Sequence, residues 1–141
     1  MTNHTSIKLI EEVIDNNYEK ILQNCLGLWV NCLWIRYEEL SSLDEYREAF
    51  FLLLQRLLDE GRVRFIKPNI DIYFVAGGPP PSLSIEDEEN HWIADANSVL
   101  QNLRKRWPEC AKDFDDDSIN LFFFETPPLI WKGEDGVWRG S

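Results

Sequence analysis

DDDSINLFFFETPPLIWKGEDGVWR, Asp115–Arg139, sets an acid cluster directly against an aromatic run, and the conformation of that run settles how many strands the protein has. In an extended chain Leu121 and Phe123 would point to one side and Phe122 and Phe124 to the other. Apolar side chains on both sides predict a central strand over Ile119–Glu125, covered on each face. Thr126-Pro127-Pro128 then turns the chain, Leu129–Lys132 forms a second strand, and Val137–Arg139 a third. The turn Glu134-Asp135-Gly136 between them carries Asp-Gly, a strong short-hairpin signal. On this reading Asp113–Asp117 is the solvated turn that leads into the sheet.

Upstream, "RVRFIK" (Arg62–Lys67) and "NIDIYFVAGG" (Asn69–Gly78) alternate in the same way around the turn dipeptide Pro68-Asn69, which predicts a hairpin over 62–76. "GGPPPS" (Gly77–Ser82) is a loop, because three consecutive prolines exclude helix and central strand. The remaining periodicities are helical. Ile7, Ile10, Ile14, Tyr18, Ile21, Leu22 and Cys25 form one stripe behind an N-cap at Thr5 or Ser6. Trp29, Leu33 and Tyr37, at four-residue spacing, predict a second buried helix in "LGLWVNCLWIRYEEL". Ser42-Leu43-Asp44-Glu45 has the form of a capping box, with Gly61 as the stop signal; between them Tyr46, Phe50, Leu53, Leu54, Leu57 and Leu58 supply a broad apolar stripe. Ser84 starts a further helix to Trp107, acidic at Glu86–Glu89 and basic at Arg104–Arg106, the polarity favoured by the helix macrodipole. The expectation is a single α+β domain over residues 1–141, helical over 5–60, with the hairpin 62–76, a helix over 84–107 and C-terminal strands over 119–139, the helices packing on a small antiparallel sheet.

The chain has 141 residues, enough for one sizeable core, and 44% of them are apolar. Twenty-five Asp and Glu against fourteen Lys and Arg give a net charge of −11. Such a surface repels nucleic-acid phosphates and anionic membranes, and favours a basic protein partner. No apolar run is long enough to cross a bilayer and the N-terminus carries no leader pattern. Cys25, Cys32 and Cys110 are few, odd in number and set in apolar or helical surroundings. Seven residues apart on a continuous helix, Cys25 and Cys32 would share a buried face. A reducing compartment, the cytoplasm, follows.

Catalytic signatures are sparse. His4 and His91 have no Ser or Cys in a nucleophile setting, and G-x-S-x-G, H-E-x-x-H and C-x-x-C are missing. "VAGGPPPS" places prolines where a phosphate loop would need a helix N-terminus. Asp113, Asp115 and Asp117 alternate like hard-cation ligands, but an EF-hand loop counted from Asp113 would put Ser118 where Gly is required and Phe124 where the bidentate Glu is required. Neither an enzyme nor a metal or cofactor site is expected.

Three stretches taken in order, "YREAFFLLLQRLLDEGRVRF" (Tyr46–Phe65), "LRKRWPE" (Leu103–Glu109) and "INLFFFETPPLIWKGEDGVWRGS" (Ile119–Ser141), resemble a small bacterial family of unknown-function proteins, some of which sit beside polymorphic toxins. Members of that neighbourhood act as immunity proteins for contact-dependent growth-inhibition or related secreted toxins. The chain departs from the family pattern at "KPNIDIYFVAGGPPPS", where a shorter linker is expected. The matching motifs are helix ends, turns and core aromatics, so no catalytic residue is carried over.

The resemblance implies an immunity protein that binds the C-terminal domain of a cognate toxin, a basic and nuclease-type domain, through its acidic surface. Candidate partner-binding residues are Asp113, Phe114, Asp115, Asp116 and Asp117, then Glu86, Asp87, Glu88 and Glu89 with Trp92, then Glu134 and Asp135 at the hairpin tip. Taken singly, each also has a plainer role as a solvated face, a helix N-terminal charge or a turn. The rival readings are a small metal-binding or carboxylate-dependent enzyme and an acidic DNA mimic.

Overall fold

The computed structural model describes residues 4–66, 91–92 and 94–139. Helix α1 (His4–Cys25) packs along α2 (Leu43–Asp59), and α2 in turn meets α3 (Ala96–Arg106). Strands β1 (Val63–Phe65), β2 (Leu129–Lys132) and β3 (Trp138–Arg139) form an antiparallel sheet in the order β1-β2-β3. A fourth helix, α4 (Asp117–Glu125), immediately precedes β2. The architecture is α+β, as the residue pattern predicts.

Helix α2 forms where the capping residues place it. Ser42 Oγ accepts from the Glu45 amide, and Glu45 Oε1 accepts from the Ser42 amide in return. At the other end Gly61 takes φ +72°, while the Arg62 and Gly61 amides donate to the Leu57 and Leu58 carbonyls, a Schellman closure. Ala49, Phe50, Phe51, Leu53, Leu54 and Leu57 are buried, so α2 is the central element of the core.

Four expectations are corrected. Residues 119–125 are helical, because Asp116 caps the segment by accepting from the Ser118 amide and hydroxyl. Ile119, Phe122 and Phe123 then share a buried face at helical spacing, where alternation would have split them. The segment after α1 is not a second helix. Gly27 takes φ +82° and ends α1, and only a 3-10 turn (Val30–Leu33) follows before the chain extends at Trp34. That break brings Cys25 and Cys32 to a Cα separation of 5.9 Å, and they form a disulfide, so the expectation of free thiols on one helical face does not hold. Cys110 is a free, exposed thiol. Finally, α3 starts at Ala96, with Asp95 as its N-cap, later than the predicted start at Ser84. Residues 91 and 92 are extended: Ile66 bridges His91, and the Trp92 amide donates to the Phe65 carbonyl.

Strand β1 pairs with β2 in the register Val63–Trp131, Arg64–Ile130 and Phe65–Leu129. The return arm of the predicted hairpin, the proline loop at Gly77–Ser82 and the predicted helix start at Ser84 lie outside the described residues. The central strand covered on both faces is β2, in place of the predicted 119–125. Leu129 and Trp131 join the main core with Val63 and Phe65, while Ile130 packs with Ile66 and Trp138 on the opposite face. His91 is fully buried against Trp138, their rings edge to face at 5.3 Å.

Candidate partner-binding surface

The acid loop is built on an aromatic floor. Phe114 stacks on Trp34 with ring centroids 4.7 Å apart and planes 8° from parallel, and meets Tyr46 edge-on at 5.4 Å. The Trp34 Nε1–H donates to the Phe114 carbonyl at 3.0 Å, and the Arg36 guanidinium lies 4.6 Å above the Phe114 ring. Phe114 is therefore half-buried and committed to holding the loop. Beside the partner contact expected of it, Phe114 has a structural role in supporting the loop.

The four aspartates divide their tasks. Asp113 Oδ1 accepts from the Asp115 amide, an Asx turn. Asp115 pairs with Arg36 at 3.4 Å in the open. Asp116 caps α4 and also accepts from the Lys112 amide, and these bonds, led by the Ser118 hydroxyl, hold its carboxyl below the usual range. Asp117 opens α4 and is exposed, where the helix dipole favours an anion. The loop thus presents Asp113, Asp115 and Asp117 outward, while Asp116 is spent on structure.

The other two patches are used differently. At the hairpin tip Gly136 takes φ +81°, and Asp135 accepts from the Val137 amide and pairs with Arg139 through both carboxylate oxygens. The Arg139 bonds, then the Val137 amide, pull the Asp135 carboxyl down to about 2. Asp135 is a turn-forming residue already matched by a cation, and Glu134 beside it is exposed. Glu86, Asp87, Glu88 and Glu89 lie outside the described residues. Trp92, their predicted aromatic companion, is half-buried and packs on Phe65 at 6.3 Å.

Reading the 119–125 segment as a strand hid two surface residues. Leu121 is 55% exposed and Phe124 77% exposed, both on the outer face of α4. The Asp116-x-Ser118 cap was the signal that could have revealed them.

A groove of about 500 Å³ beside the disulfide mixes charges of both signs, with Lys20, Arg36, Glu38 and Glu39 on its walls. Among the described residues no group of three or more His, Cys, Asp or Glu side chains is placed to hold a metal ion. Nor is any helix among them long and apolar enough to cross a membrane.

No family model matches the chain, and no curated protein does. Among solved structures, an uncharacterized protein conserved in bacteria, from Neisseria meningitidis, is similar to it with a TM-score of 0.66 and 21% identity, over 96% of this chain and 92% of that one. At that identity the likeness is one of fold.

Proposed function

We propose that this chain is a binding module, an immunity protein that neutralises a basic toxin domain by covering it with an acidic surface. One observation carries the reading. The acid loop Asp113–Asp117 is clamped by the Trp34–Phe114 stack and the Asp116 cap, so its outward carboxylates are held in place before any partner arrives. A preorganised charged surface loses little entropy on binding, and complementary fields raise the association rate by orders of magnitude. Net charge −11 supplies the long-range part of that attraction. The resemblance in the helix ends and C-terminal aromatics points the same way, toward toxin neutralisation.

The test is co-expression of this chain with the protein encoded immediately upstream of its gene. Protection from a toxic neighbour, with a complex recovered on purification, supports the reading. Absence of both protection and complex rejects it, and a Ca²⁺-dependent rise in melting temperature would move the assignment to a metal-dependent protein.

An immunity protein against an incoming nuclease works in the cytoplasm, and we place the chain there. The Cys25–Cys32 bond weighs the other way, since disulfides persist mainly in oxidising compartments. Trapping thiols with an alkylating reagent in intact cells decides between them: a reduced pair supports the cytoplasm and an oxidised pair argues against it.

A further inference from the structure

We propose that the outer face of α4 is the docking site, with Phe124 as the anchor and a basic protein domain as the occupant. This rests on the function proposed above and names the surface that performs it.

The inner face of α4 fixes the outer one. Phe123 packs on Phe50 at 5.3 Å and on Trp34 at 6.0 Å, and Phe122 meets Trp107 at 5.2 Å. A nine-residue helix held by these aromatics, capped by Asp116 at one end and by the Thr126 amide and hydroxyl at the other, presents its exposed side chains rigidly. Leu121 and Phe124, three residues apart, lie side by side on that exposed face. Isolated exposed apolar residues are ordinary, whereas a contiguous exposed apolar patch rimmed by charged residues marks a contact surface, and Phe124 supplies most of the apolar area here.

The surroundings of the pair define the partner. Asp117 lies one turn before Leu121, and Glu125 follows Phe124 directly. The last turn of α4 contains no basic residue. An acid at a helix C-terminus opposes the macrodipole, which prefers a cation there. The end of α4 therefore breaks two local rules at adjacent positions, an exposed Phe and a misplaced Glu, and such violations concentrate at functional surfaces. A Lys or Arg from a partner would relieve both: it would meet Glu125 and the helix carbonyl end, and could lie against the Phe124 ring.

Charge also selects against a second copy of this chain. A two-fold pairing of α4 faces would bring Asp117 and Glu125 of each copy toward like charges, with the acids of the neighbouring loop close by. The complementary surface is an apolar pocket that accepts Phe124, rimmed by Lys and Arg. The charge-paired Asp135 hairpin offers no comparable anchor.

The experiment measures binding of the upstream-encoded protein to the full chain and to Phe124→Ala, Leu121→Ser, Glu125→Gln and Glu134→Gln. Each altered side chain is exposed, so melting temperatures should stay within about 2 °C of wild type. The expected result is a loss of about 30-fold or more for Phe124→Ala, residual binding regained with Phe124→Trp, and a weaker salt dependence of the association rate for Glu125→Gln. Wild-type affinity in Phe124→Ala with a loss in Glu134→Gln overturns the docking site and leaves the proposed function standing. A concentration-dependent homodimer that Phe124→Asp dissociates assigns the face to a second copy and overturns the proposal. No binding by wild type removes both readings together.

Discussion

Trp34 lies flat on Phe114 and donates its indole N–H to the Phe114 carbonyl, tying together two segments separated by 80 residues. The same indole meets Phe50 and Tyr46 edge-on and tilts against Trp107 and Phe123, so it sits where α2, the end of α3, α4 and the acid loop converge. The first prediction follows from this double role. Trp34→Phe keeps an aromatic floor but leaves the Phe114 carbonyl without its donor, and should cost about 1 kcal/mol. Trp34→Ala removes the floor as well and should cost about 3 kcal/mol. Urea unfolding measures both, and equal costs would mean that the stacking contributes nothing.

Helix α2 offers a cleaner test because its two ends are closed by different devices. Ser42→Ala removes the acceptor for the Glu45 amide and should destabilise by about 1 kcal/mol. Gly61→Ala meets no atom within 4 Å, so any cost arises from forcing an L side chain to φ +72°, about 1 kcal/mol. The sites lie at opposite ends of a 17-residue helix, so the double variant should show the sum of the two changes. A markedly smaller double cost would show that α2 frays independently of the core.

These ends of α2 were readable in the residues, because a capping box and a closing glycine act locally. The conformation of Ile119–Glu125 was not, since a run of four consecutive apolar residues, Leu121–Phe124, satisfies both alternation and helical spacing. The decision fell to Asp116 and Ser118, short polar side chains whose hydrogen bonds favour a helix start. The Cys25–Cys32 pairing was hidden for a related reason. It requires a tight turn after Gly27, whereas the apolar spacing of Trp29, Leu33 and Tyr37 pointed to a second helix there. Of the candidate surface, the outward aspartates were legible from charge. The half-burial of Phe114 and the exposure of Phe124 were not legible, because exposure in a helix depends on which tertiary neighbours claim the opposite face.

The disulfide yields the third prediction. It closes a short loop, with a sequence separation of 7, so the loop-entropy account gives it about 2 kcal/mol. Reduction, or Cys25→Ser with Cys32→Ser, should lower the melting temperature by roughly 4–8 °C in a chain of this size. Thiol titration of the unfolded protein should rise from one group, Cys110, to three on reduction. Three thiols without a reductant would contradict the bond.

The last prediction concerns acid and alkali at the α1–α2 seam. Glu60 accepts from the Tyr18 hydroxyl at 2.6 Å, from Arg62 at 2.7 Å and from Arg56 at 3.1 Å, while Arg56 also pairs with Asp15 of α1. The Tyr18 bond, followed by the Arg62 bond, holds the Glu60 carboxyl down to about 2. A carboxyl depressed in the folded state contributes stability that is present above its unfolded value near 4.5 and is lost as pH falls from there through about 2. Tyr18 behaves in the opposite sense. Burial, then its bond to Glu60, raises its hydroxyl to about 12, so its contribution is complete below pH 10 and is lost as pH rises through 12. Melting temperature followed across pH should therefore fall at both ends. Glu60→Gln should flatten the acid limb, while Tyr18→Phe should flatten the alkaline limb and leave a weaker acid one, because Glu60 loses its leading donor. An acid limb unchanged in Glu60→Gln would assign acid sensitivity to other depressed carboxyls, of which Glu48, held between Arg104 and Arg47, bridges α2 to α3.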